Sequence, residues 1–161
     1  MLDKLDFMVR FWRLRARHEA LDTPLSTSER VELLSLLQLM ASDLNLPPPG
    51  ASPLSGSSIP VQLTAGGGFL AGELRVVCAE GVVITCKAPM MRAGQSAIVR
   101  MADAIAGVEY TLPCVVVWSF KGTPSSMALR VDGIPSRTSF AMPELSVWQP
   151  SSLIGLSPLG S

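Results

Sequence analysis

One histidine, three cysteines and one tyrosine are the scarce reactive side chains of this 161-residue sequence. His18 stands among Arg15, Arg17 and Glu19, where a solvated histidine near a helix end is a better reading than a catalytic base. Cys78, Cys86 and Cys114 are separated by 7 and 27 residues, without a C-x-x-C pair or a histidine pair. That spacing argues against a structural zinc site. Each cysteine lies in an apolar, strand-like run, the setting of a reduced thiol acting as a small hydrophobe. Cys78 is the one near a turn. Asp103, Glu109 and Asp132 are scattered over loops and strand ends, so no carboxylate pair for acid–base work is expected. Gly66-Gly67-Gly68-Phe69-Leu70-Ala71 satisfies a relaxed G-x-G-x-x-A pattern. A strand-like run follows it where a dinucleotide fingerprint needs a helix, so it reads as a hairpin turn. No Gly-Lys-Ser/Thr follows any glycine run, which excludes a Walker-type loop. The residues predict a non-enzyme with no metal and no cofactor.

The one basic, aromatic stretch is at the start, where Arg10, Arg13, Arg15 and Arg17 interleave with Phe7, Phe11 and Trp12. Residues 1–21 hold five Lys/Arg against three Asp/Glu. Two readings stay open. The stretch is either a docking helix for an acidic protein groove or an anionic membrane surface, or a solvated face beside a core face. On the first, Phe7, Phe11, Trp12, Arg10, Arg13 and Arg17 are the candidate partner-binding residues. The whole chain balances 13 Lys+Arg with 13 Asp+Glu, so nucleic acid is not expected as a partner.

Three blocks and a tail must position these residues. Charged residues are 16% and apolar ones 48%, which excludes general disorder. Residues 1–46 predict a helical hairpin. From 3 to 21 there is no Gly or Pro, and Leu2, Leu5, Val9, Trp12 and Ala16 share a face that Phe7, Phe11 and Leu14 widen. After the break at Asp22-Thr23-Pro24, Ser26-Thr27-Ser28-Glu29 forms a capping box. Val31, Leu34, Leu37, Ala41 and Leu44 then make one face, with Leu33, Leu36 and Met40 beside it. Two helices cannot bury faces this wide in each other. The spare surface must meet the β block, a second copy, giving a homo-oligomer through the hairpin, or a partner.

Residues 47–58 are a Pro/Gly/Ser linker. Strands are predicted at 59–64, 72–78, 82–86, 96–100, 108–118 (bent at Pro113) and 127–131, closing at Asp132–Pro135. Six short strands with turn residues between them predict a mainly β fold, a six-stranded antiparallel barrel over 59–137 preceded by the hairpin. The 138–161 tail, with Pro143, Pro150 and Pro158, reads as irregular or partly disordered. Met1–Asp6 carries two acids where a signal peptide has a basic region, and no run approaches 18 apolar residues. No transmembrane segment is expected, and a cytoplasmic location is.

The strand of the Val82–Cys86 kind, the Pro89–Gly94 loop, the Val115-Val116-Val117-Trp118 strand and the closing Leu129-Arg130-Val131 strand follow one another in a known pattern. In these features residues 59–137 resemble the PilZ domain, a six-stranded barrel that serves bacteria as a receptor for cyclic di-GMP. Members of that family bind the nucleotide through an R-x-x-x-R stretch before the first strand and a D/N-x-S-x-x-G turn after the second. Here residues 47–60 contain no Lys or Arg, and the turn reads Val76-Val77-Cys78-Ala79-Glu80-Gly81, keeping only the glycine. Charge-assisted contacts to a dianion, each about 1.5–3 kcal/mol, are what is missing. A tight turn with positive φ accounts for Gly81. The resemblance therefore implies a degenerate, PilZ-like protein that acts by protein–protein contact. Such members work in motility, type IV pilus assembly or related signalling, without cyclic di-GMP. The alternative is a cyclic di-GMP receptor with a non-standard site.

Overall fold

The computed structural model describes residues 2–19, 24–40, 44–49, 58–87 and 91–139. The expectations for residues 50–57 of the linker, for the start of the Pro89–Gly94 loop and for the tail from 140 onward lie outside these. Helices α1 (Leu2–Glu19) and α2 (Thr27–Leu39) precede strands β1 (Ile59–Ala65), β2 (Gly68–Val77), β3 (Gly81–Cys86), β4 (Ser96–Asp103), β5 (Val108–Phe120), β6 (Ser125–Val131) and β7 (Ser136–Ser139).

The sheet runs β4-β1-β2-β3-β6-β5-β7, and a further β4–β5 pairing closes six of the strands into an antiparallel barrel. Closure leaves those six without a free edge. Period-two alternation built it: Val61 and Leu63, Val99 and Met101, and Tyr110, Leu112, Cys114 and Val116 are buried between less buried neighbours. The predicted β2 starts too late. It begins at Gly68, immediately after the positive-φ pair Gly66 and Gly67, because such a pair suffices for the hairpin.

Two irregularities interrupt the ladders. Arg75 is an extra residue in β2 between the pairs Leu74–Ile84 and Val76–Val83, and Val117 is one in β5 between Val116–Leu129 and Trp118–Ala128. Pro113, where a bend is expected, pairs with Ile98. On its other edge Pro113 stands between residues 108–111, paired with β7, and 114–120, paired with β6. No ladder N–H is lost there. β7 itself was not anticipated. All four of its residues are exposed, so it carries no hydrophobic alternation to read.

Gly81 has a different reason from the one expected. Its φ is not positive; a Cβ built on it would lie 1.9 Å from Leu129 O and 2.9 Å from Arg130 Cα. The glycine lets the β3 and β6 backbones approach.

α1 closes one mouth of the barrel. Leu5, Met8, Val9, Phe11, Trp12 and Leu14 are buried in one continuous core with the inward side chains of the barrel. α2 begins with the predicted capping box, Ser26 Oγ accepting from Glu29 N and Glu29 Oε1 accepting from Ser26 N. It turns Leu33, Leu36 and Met40 inward. This corrects the expected face: Val31 and Leu34 point to solvent, since α1 supplies one flat surface and the helix can lay only one side on it.

Candidate functional site

The turn that joins β2 to β3 is where the PilZ resemblance would place a ligand, and the chain itself occupies it. Trp12 Nε1 donates to Ala79 O at 2.8 Å and Arg15 Nη1 to the same oxygen at 3.2 Å. Arg15 also lies over the Phe11 ring, 5.4 Å from its centroid. From the other side Glu80 N donates to Leu44 O at 3.1 Å, and Leu46 N donates to Glu80 Oε1 at 2.8 Å. Cys78 and Ala79 are buried. Ala79 O thus carries two donors, and the buried Trp12 indole lies against the turn.

A second set of contacts ties α1 to the far strands. Asp6 Oδ1 accepts from Tyr110 Oη at 2.9 Å and from Arg137 Nε at 2.6 Å. Burial and then Asp6 push the Tyr110 phenol above its ordinary value, and Asp6 raises Arg137. These groups serve as anchors; a tyrosine held protonated by a carboxylate is a donor, not a base.

The six candidate partner-binding residues divide. Phe11 is 2% exposed and Trp12 0%, so both belong to the core, and Phe7 packs half-buried against it. Arg10 donates twice to Glu32, at 2.8 Å each, and Arg17 to Glu29 at 2.5 Å. Arg10 raises its own pKa through Glu32 and lowers that of Glu32; Glu29 is lowered first by its bond from the Ser26 backbone and then by Arg17. Arg13 remains exposed on α1. Phe11 and Trp12 therefore turn into the core, while Arg10, Arg13 and Arg17 stay on the outer side of α1.

Sequence reasoning missed a groove of about 860 Å³ on the outer barrel wall, between Pro60, Leu70, Glu73, Arg75, Lys87 and Pro124. The bulge at Arg75 aims this side chain into it, with Arg75 Nη1 3.6 Å from Glu73 Oε1. A basic residue in a strand gives no sign in sequence that a bulge will turn it. Among the described residues no cluster of His, Cys, Asp and Glu could hold a metal ion, and no helix is long and apolar enough to cross a membrane.

Burial raises the pKa of all three thiols, that of Cys114 to about 12. In native chain at pH 7.5 no cysteine is expected to react promptly with a thiol reagent, and in denaturant all three should. A fast native thiol that disappears in Cys78→Ser would show that the β2–β3 turn is open at Cys78, whereas one lost in Cys86→Ser would place the access in the groove that Cys86 lines.

The fold and this surface define a closed β-barrel sealed by a helical hairpin. Compared with known proteins, the chain matches no family model and no curated protein.

Proposed function

We propose that this chain is a PilZ-like regulatory adaptor that has no enzymatic activity. It works in the cytoplasm by protein–protein contact, in bacterial motility, type IV pilus function or related signalling, and does not take cyclic di-GMP. The observation that carries the reading is the covered turn: Trp12 and Arg15 hold Ala79 O, and the Leu44–Leu46 segment holds Glu80. Residues 47–60 supply no cation, and the Arg15 guanidinium at the turn is engaged by Ala79 O and the Phe11 ring, which supports the lack of a cationic grip for a dianionic ring. The strand order supports the resemblance, since Val82–Cys86 lies in β3, Val115–Trp118 in β5 and Leu129–Val131 in β6. The partner surface on α1 is the arginine edge, with Arg13 exposed and Arg10 and Phe7 beside it, a match for an acidic protein groove.

Calorimetry with cyclic di-GMP at high-micromolar concentration should give no heat. Affinity capture should recover motility or pilus proteins, and Arg13→Glu, which leaves the core intact, should release them. Retention by Arg13→Glu would remove the arginine edge from the account. The groove favours one second reading, a cyclic di-GMP receptor with a non-standard site, because Arg75 and Lys87 both line it. Saturable heat that disappears in Arg75→Ala would establish that reading in place of the first.

A further inference from the structure

Between the hairpin and β1 the chain lays a strap, Leu44-Asn45-Leu46-Pro47-Pro48-Pro49, on the barrel. Two anchors hold it. At one, Glu80 N donates to Leu44 O at 3.1 Å and Leu46 N donates to Glu80 Oε1 at 2.8 Å. At the other, Trp118 Nε1 donates to Pro47 O at 3.0 Å. Glu80 precedes β3, Trp118 lies in β5, and β6 runs between those two strands, so the strap spans β3 and β6. Val83 pairs with Ala128 and Ala128 with Trp118, in one row across these strands. The extra residue Val117 is what turns Trp118 to the same side as Ala128. Val83 and Ala128 alternate with the inward Val82, Ile84, Met127 and Leu129, so they face outward, yet Val83 is 6% exposed and Ala128 0%. The row that is covered lies between the two anchors of the strap.

All three hydrogen bonds go to backbone atoms of the strap, so they read an extended backbone rather than particular side chains. Leu46, Pro47 and Pro48 each precede a proline, which keeps them extended. A proline run makes no internal hydrogen bonds, so its carbonyls stay available. An indole N–H on such a carbonyl, beside an apolar row, is the chemistry by which aromatic-lined grooves take proline-rich segments. We propose that this wall is a docking site for an uncharged, extended leucine–proline segment of a protein partner, filled in this chain by its own strap. Leu46 and Pro47 are half-buried, while Leu44, Asn45, Pro48 and Pro49 are exposed, so few side-chain contacts oppose exchange. The strap is tethered, with an effective concentration on the order of millimolar, so a partner's segment binds more weakly while the strap is seated. The inference rests on the reading of the chain as a protein-contact module and names a second surface and what it takes.

The probe is a fluorescein-labelled peptide of residues 44–49, read by anisotropy against the full chain. A chain carrying Leu46→Ser and Pro47→Gly, which loosen the strap, should bind it about tenfold more tightly than the parent, because the site is then open in most molecules. Adding Trp118→Phe keeps a ring in β5 but removes the N–H, and should weaken binding about fivefold. A peptide with serine in place of each proline should bind less well, since it loses more freedom on docking. The parent gives a readout that needs no altered strap: its Trp118 indole signal in a nitrogen-15 spectrum, assigned by Trp118→Phe, should shift as unlabelled peptide reaches about 5 mM. A parent signal that stays in place overturns the proposal. Binding that is indifferent to Trp118→Phe overturns it too, as does equal binding of the serine peptide. None of these results touches capture through Arg13, so failure here and failure of the adaptor reading stay distinct.

Discussion

Gly81→Ala is expected to lower stability by about 3 kcal/mol or more, at the upper end of what overpacking costs. The added methyl group would stand 1.9 Å from Leu129 O and 2.9 Å from Arg130 Cα. Both are backbone atoms, so no side chain can rotate away. The β3–β6 ladder must open at Gly81–Arg130, its first pair, and a closed barrel transmits that opening to its neighbours. Gly67→Ala is the contrast. Its φ is +82° and nothing lies within 4 Å of the added atom, so the cost is the left-handed strain alone, on the order of 1 kcal/mol. Urea denaturation of the two variants beside the parent measures both. Equal midpoints for Gly81→Ala and the parent would mean that β3 and β6 are not in close contact there.

Trp12→Ala should cost about 3–5 kcal/mol, the range for emptying a buried aromatic site. Trp12 is 0% exposed, and its indole N–H is one of two donors on Ala79 O. Truncation leaves a cavity where α1 meets the mouth of the barrel and takes away the seal over the β2–β3 turn. Trp12→Phe keeps most of the ring volume and gives up the hydrogen bond, so its loss should be about 1–2 kcal/mol. The order parent, Phe, Ala in urea midpoint is the expected result. A Trp12→Ala chain as stable as the parent would show that α1 does not dock on the barrel. Trp12→Ala should still bind no cyclic di-GMP in calorimetry, because the Leu44–Leu46 segment still holds Glu80 and residues 47–60 lack the cations.

These two positions show why one surface has two fates. Trp12 and Arg13 are adjacent in sequence, one in the core and the other in solvent. Read as a stretch, Phe7, Phe11, Trp12 and the arginines look like a single docking motif. Folded, the aromatic residues seal the barrel and Arg10 and Arg17 hold α2 through Glu32 and Glu29. Of the arginines among the six candidates, Arg13 is the one with no ion pair named above, and it is exposed on α1.

Much of the fold was legible because the physics that selects it is local. Alternation along β1, β4 and β5 marks strands, the Ser26–Glu29 box marks a helix start, and the glycine pair at 66 and 67 marks a hairpin. Each needs only neighbours within a few residues. The absence of Lys and Arg from 47–60 was equally plain. Other features depend on residues far apart in the chain. β7 has no apolar pattern and exists through its pairing with β5; the bulge that turns Arg75 into a groove comes from the mismatch of β2 with β3. Gly81 is a glycine because another strand's carbonyl passes beside it. Which side of α2 is buried was decided by where α1 lies on the barrel, since the apolar residues of α2 are spread around the helix and mark no single face. Composition and periodicity thus determined the elements; long-range packing alone decided which of their surfaces remain for other molecules.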